Sequence, residues 1–159
     1  VEEGKGNVKV RKKDDNSNSV ANCIFKLYSD ASCTNEVATG TTSDSGEIIF
    51  EQLKTGKYYI KEISAANGYI INTDVKEVAV QFGQTETVEF TNSEPKGKIV
   101  AYKVSENNDK IAGVEITIEA NEKITNKAGT KTYYNKGDIV DTLVTDSSGK
   151  IEKYGLPLR

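Results

Sequence analysis

Apolar and polar residues alternate along most of this chain with a period of two, the signature of strands that bury one face. In "GNVKVRKKDD", from Gly6, Val8 and Val10 share a face, and the next position on that face is Lys12. "GKYYIKEI" puts Tyr58, Ile60 and Glu62 on one face, and "TVEFTN" does the same for Val88, Phe90 and Asn92. The pattern predicts strands near 7–13, 21–28, 36–42, 47–51, 57–64, 76–82 and 86–92. Turn-forming runs such as "SDSG" and "AANG" separate them. No segment carries a helical stripe. Seven short strands with frequent turns predict an all-β, Greek-key, immunoglobulin-like β-sandwich.

The pattern then repeats. "GNVKVRKKDDNSNSVANCIFKL" at Gly6 returns as "GKIVAYKVSENNDKIAGVEITI" at Gly97, with Lys12 matching Lys103 and Phe25 matching Ile116. "TSDSGEIIFEQL" from Thr42 matches "TDSSGKIEKYGL" from Thr145, after an insertion around "NEKITNKAGTKTYYNKG". "SEPKG", 93–97, reads as a linker, because proline discourages strand pairing. We therefore expect a complete domain over 5–94 and the N-terminal part of a second over 95–159. Nothing in the second unit corresponds to "KYYIKEISAANGY" or to the strands after it. A sandwich lacking its last three strands exposes edges and a core face. The remainder of the same protein, or another chain, is expected to complete it.

Composition narrows the chemistry. There is no histidine, which removes Ser–His and Cys–His catalysis and the commonest metal ligand. A net charge of −3 with interspersed signs argues against a nucleic-acid surface. No apolar run is long enough to predict a membrane-inserted helix in this segment. Neither a signal peptide at Val1 nor a sorting signal at Arg159 is visible, so the sequence reads as a mature fragment or a cut piece. Cys23 and Cys33 lack metal-motif spacing, and two readings stay open. One is a small buried residue plus a loop thiol. The other is a disulfide clasping a hairpin, which would suit an extracellular compartment. "TSDSGE" and "TDSSGK" lack the alternating ligands and terminal glutamate of a calcium loop and read as turns, so no metal and no cofactor are expected.

Lys12, Glu62 and Asn92 are each the polar member of an apolar alternation, and all three point inward near one end of the predicted core. The bland reading is three strand ends that reach solvent. The sharper one is a self-made cross-link. Desolvation lowers a lysine pKa and raises a carboxyl pKa by up to ~3–5 units. A neutral Lys12 amine could attack the Asn92 carboxamide. Glu62, bonded to the carboxamide oxygen, would relay the proton, and ammonia would leave. Fixed proximity can supply ~7–11 kcal/mol of such a barrier.

"GNVKVRKKD", "ANCIFKLYSD", "TTSDSGEIIFEQLKTGKYYIKE", "AANGY" and "VEFTNS" together resemble the Cna B-type domain of Gram-positive surface adhesins and pilins. "KIAGVEITIEA", "YYNKGDIVDTLVTDSSGK" and "GLPL" are similar to the first part of another. The resemblance implies a seven-stranded, transthyretin-like (prealbumin) sandwich. It implies an isopeptide bond between Lys12 and Asn92, with Glu62 as the catalytic proton relay. It also makes Lys103 a second cross-link lysine whose partners are missing from this chain. Two departures stand out: Ala66 where the family often has proline, and Arg159 where it usually has glycine.

The function expected is a stalk module of an extracellular, cell-wall-anchored adhesin or pilin. The alternative is an adhesive module gripping a host extracellular-matrix protein or a glycan, for which Tyr133 and Tyr134 offer contact area. A carboxylate-only enzyme is disfavoured, since no acidic pair stands out.

Overall fold

The computed structural model describes residues 4–158, so Val1 and Arg159 lie outside the described residues. The chain divides between Glu94 and Pro95 into two compact units. Unit one has seven strands: β1 (Lys5–Asp14), β2 (Ile24–Tyr28), β3 (Glu36–Thr41), β4 (Glu47–Lys54), β5 (Gly56–Ser64), β6 (Val75–Val80) and β7 (Thr85–Asn92). They form two sheets, ordered β4-β1-β7 and β3-β2-β5-β6. Strand β1 is antiparallel to β4 and parallel to β7, so the first and last strands run side by side.

All seven strands expected from the alternation are present. Strand β2 begins at Ile24 rather than near 21, because Asn22 sits at φ +66° and bends the chain before the ladder starts. Strand β4 runs on to Lys54, through an irregular register with β1 and a positive φ at Gln52.

Between the sheets lies a core of Val8, Val10, Phe25, Leu27, Ile60 and Phe90, each at most 1% exposed. Full burial contributes about 1.5–3 kcal/mol for each large apolar side chain. The Phe25 and Phe90 rings pack with centroids 4.9 Å apart. Buried and less buried positions alternate along β1 without a break from Gly6 to Asp14. Lys12 therefore continues the buried face instead of escaping it.

The turn before β4 fixes the backbone of Lys12. Gly46 N–H donates to the Ser43 carbonyl at 2.8 Å, and Lys12 N–H donates to the Gly46 carbonyl at 2.7 Å. Gly46 has φ +74°, and a Cβ there would lie 2.6 Å from the Lys12 carbonyl oxygen. Only glycine fits both the conformation and the approach.

Unit two contains β8 (Lys96–Tyr102), β9 (Glu115–Glu119), β10 (Ile124–Thr125), β11 (Thr132–Tyr134), β12 (Ile139–Val144) and β13 (Lys150–Pro157). They pair as β8-β13, β9-β12 and β10-β11. The first two pairings reproduce β1-β4 and β2-β3, while β10-β11 lies within the insertion. Small details repeat as well. Lys103 N–H donates to the Gly149 carbonyl at 2.7 Å, and the Lys13–Ser19 bridge returns as Val104–Lys110. Unit two buries few side chains fully: Ile99, Val100, Ile139 and Val144 all stay exposed.

Gly46→Ala should lower the unfolding free energy by about 1–3 kcal/mol, the cost of holding a non-glycine residue at such a φ. Urea unfolding followed by fluorescence or circular dichroism measures it, and an unchanged midpoint would contradict the requirement for glycine.

Candidate functional site

Three elements deliver three polar side chains to one dry spot between the sheets. Lys12 comes from β1, Glu62 from β5 in the opposite sheet, and Asn92 from the end of β7. They are 1%, 1% and 0% exposed. The strand ladder explains the meeting. In the parallel β1-β7 ladder Asp14 lies opposite Asn92, so Lys12 is two residues back on the same face. Glu62 pairs with Phe25 in the β2-β5 ladder. Phe25 and Phe90 flank the lysine, with ring centroids 5.6 and 5.8 Å from Nζ.

Lys12 Nζ lies 2.8 Å from Glu62 Oε2. The contact is close but poorly aimed: neither atom makes a well-directed hydrogen bond. The other carboxylate oxygen is fully engaged. Glu62 Oε1 accepts the Asn72 backbone N–H at 2.8 Å and Asn92 Nδ2–H at 2.9 Å. Asn92 Nδ2 also donates to the Ile70 carbonyl at 2.8 Å. A backbone carbonyl only accepts, so this bond turns the amide nitrogen toward Glu62 and Ile70. The oxygen Oδ1 faces away, 3.5 Å from the Cys23 thiol. The expectation that Glu62 bonds the carboxamide oxygen is thereby corrected: Glu62 holds the nitrogen, because Ile70 decides the orientation.

Burial pushes the Lys12 amine below its ordinary pKa of 10.5, Glu62 beside it pulls it back up, and the balance stays low. Lys76 adds a smaller downward push. Burial likewise pushes the Cys23 thiol up. Lys13, one residue along, points outward and pairs with Glu89 at 3.4 Å.

The coil after β5 closes the end of the site. Ile70 N–H donates to the Ser93 carbonyl at 2.8 Å, and the Asn72 side chain donates to the Thr91 carbonyl at 2.9 Å. Ala66 N–H donates to Cys23 Sγ at 3.4 Å. Sequence reasoning missed Ile70 and Asn72, since their contribution is mostly backbone and leaves no side-chain signal. It placed Cys23 on the buried face with Phe25 and Leu27 but could not see its contact with Asn92.

Both cysteines are free, Cys23 buried and Cys33 half-buried. The disulfide clasp is corrected: Cys23 turns into the core toward Asn92, while Cys33 sits in the β2-β3 turn at φ +56°. Lys103 is exposed. Tyr133 and Tyr134 are half-buried on β11, with the ammonium groups of Lys96 and Lys131 5.5 and 5.4 Å from the Tyr133 ring.

Residues 6–94 match the family model described as "SpaA: Prealbumin-like fold domain". The chain belongs to this family. Among solved structures, the Bacillus anthracis TIE protein is similar at 26% identity and a TM-score of 0.68, over 95% of this chain and 26% of that one. The minor pilin of the Gram-positive pathogen Streptococcus agalactiae shares the fold at 23% identity and a TM-score of 0.51, over 58% of this chain and 46% of that one. The major pilin subunit of Bacillus cereus does so at 15% identity and a TM-score of 0.55, over 96% and 85%. The chain thus spans only about a quarter of the first of these proteins and less than half of the second. No curated protein sequence matches it.

In an Asn92→Ala chain Lys12 stays a free amine. Its native pKa lies below 10.5, so between the two values the unfolded chain binds more protons and Lys12's contribution to stability rises with pH. Urea unfolding of Asn92→Ala against Lys12→Met/Asn92→Ala isolates that contribution from Cys23 and the tyrosines. The difference should grow in favour of the lysine chain from neutral pH toward 10.5; a flat difference would contradict a depressed amine.

Proposed function

We propose that unit one is a structural stalk module of an extracellular, cell-wall-anchored adhesin or pilin, locked by an isopeptide bond between Lys12 and Asn92. The observation that carries this reading is the bridge formed by one buried carboxylate, with Oε2 on the Lys12 amine and Oε1 on the Asn92 amide nitrogen. Glu62 therefore touches both the nucleophile and the leaving group.

The steps balance with these three residues alone. Lys12 gives a proton to Glu62, leaving a neutral amine and a neutral acid. The amine attacks Asn92 Cγ, forming the Nζ–Cγ bond and placing negative charge on Oδ1. Glu62 passes a proton to Nδ2 and takes one from Nζ. The Cγ–Nδ2 bond breaks, ammonia leaves, and the carbonyl re-forms. Each molecule reacts once, so the module is not an enzyme.

The bond would join the first strand to the last. By analogy with other covalent loop closures it adds roughly 4–5 kcal/mol. The mechanical effect is larger. Since β1 and β7 are parallel neighbours, load entering at Lys5 and leaving past Asn92 passes through the bond rather than shearing the ladder. The pilins among the structural relatives accord with such a role.

Residues 95–159 belong, in the same reading, to the first part of a second sandwich whose β8, β9, β12 and β13 stand for β1 to β4. Ile99, Ile118, Ile124, Tyr134, Val140 and Leu156 line an apolar cavity of about 150 Å3 in this unit, where further strands would pack. Strands from elsewhere in the same protein, or from another chain, would fill it and give Lys103 its partners.

Intact mass tests the cross-link. The chain should be one ammonia lighter than its sequence, while Lys12→Ala and Glu62→Ala should have full mass; full mass for the unaltered chain would overturn the reading. Hydrogen exchange tests the second unit: amides of β8 and β13 should exchange at least tenfold faster than those of β1 and β4 (about 1.4 kcal/mol per factor of ten). Equal protection would mean that 95–159 is already a finished fold.

A further inference from the structure

The thiol of Cys23 has no part in the three-residue scheme, yet it is 0% exposed and touches a reacting atom. Its position is built. Thr42, itself buried, accepts the Cys23 backbone N–H through Oγ1 at 2.9 Å, and its hydroxyl donates to the Val20 carbonyl at 2.8 Å. The Thr42 N–H donates to the Cys23 carbonyl at 2.8 Å. The Ala66 N–H then occupies a lone pair of Sγ at 3.4 Å, and the S–H has two acceptors in reach, the Ala21 carbonyl at 4.0 Å and the closer Asn92 Oδ1. Sγ lies 3.5 Å from Asn92 Oδ1. The amide cannot turn away, because Ile70 and Glu62 hold its nitrogen.

We propose that Cys23 is a catalytic residue of the cross-linking reaction, its S–H donating to Asn92 Oδ1 as that oxygen gains negative charge. This rests on the reading of Lys12, Glu62 and Asn92 given above. When the Lys12 amine adds to Cγ, the C=O electron pair moves onto Oδ1. Neither Glu62 nor Ile70 faces that oxygen. The thiol does, in a site stripped of water, where a fixed donor is most effective. The proton stays on sulfur throughout, so the balance of the reaction is unchanged. Burial keeps the thiol protonated, and hence a donor rather than a nucleophile.

Unit two supplies a natural comparison. Val114 holds the matching place: its N–H donates to Thr145 Oγ1 at 2.9 Å, and Thr145 donates to the Ile111 carbonyl at 2.8 Å. Val114 is half-buried where Cys23 is fully buried, so the backbone frame accepts a valine, and Cys23→Ala, which adds no atoms to the core, accompanies Cys23→Val as the variant free of overpacking.

The test is the rate of ammonia loss in the full chain, made by cell-free synthesis in the cold, quenched in acid at intervals and read by intact mass. Cys23→Val and Cys23→Ala, which lack a donor, should convert about tenfold more slowly, below the 10²–10³ lost with a stronger oxyanion donor. Cys23→Ser, which restores one, should convert within a few-fold of the unaltered chain. Circular dichroism checks that each variant is folded. Valine and alanine variants converting at the unaltered rate would overturn the proposal. So would a serine variant as slow as alanine, which would leave the thiol a packing role only. Failure of the unaltered chain to lose ammonia would instead defeat the underlying cross-link reading, so the two failures are distinguishable.

Discussion

A lysine amine 2.8 Å from a glutamate carboxylate, both sealed between two sheets, is the contact around which unit one is arranged. Charge in so dry a place is costly, and breaking such a pair by removing one member leaves the other uncompensated. The surroundings address that cost unevenly. Glu62 Oε1 has two donors, while Oε2 and the amine share only each other. A buried polar atom without a well-formed partner requires an explanation. Burial that disfavours the charged amine supplies one, since charge is costly where no water reaches it. The depressed pKa of Lys12 points the same way.

The inward set was legible because parity is a strict code. Side chains two apart on a strand share a face, so Val8 and Val10 dictate where Lys12 goes, and Phe90 dictates the same for Asn92. Bringing β1, β5 and β7 to a common end required only that the strands form one sandwich. What parity could not reveal was the amide's orientation. That depends on a carbonyl in the irregular 66–72 segment, where no periodicity applies. The start of β2 was missed for a related reason: Asn22 takes a left-handed conformation that the alternation of its neighbours does not betray. Cysteine spacing was equally mute, as sequence separation says nothing about whether two side chains face each other.

The second unit separates local structure from long-range assembly. A Cβ on Gly149 would meet the Lys103 carbonyl just as one on Gly46 would meet that of Lys12, so the β8-β13 pairing rebuilds the backbone frame of the lysine that β1 and β4 make in unit one. Yet Lys103 remains exposed. The frame places a lysine but does not by itself dehydrate it. In unit one that work falls to β5, β7 and the coil between β5 and β6.

That coil has a lasting effect. With Ile70 tied to Ser93 and Asn72 to Thr91, it lies across the mouth of the site like a plug. Hydrolysis of an amide needs a water molecule able to reach its carbon from a suitable angle. A plug that excludes solvent from the unreacted side chains would also exclude it from a finished linkage, and ammonia lost to the medium is too dilute to return. Permanence outside the cell, where no machinery is at hand to mend a severed tether, would then come from a few hydrogen bonds, backbone and side chain, in an otherwise plain loop.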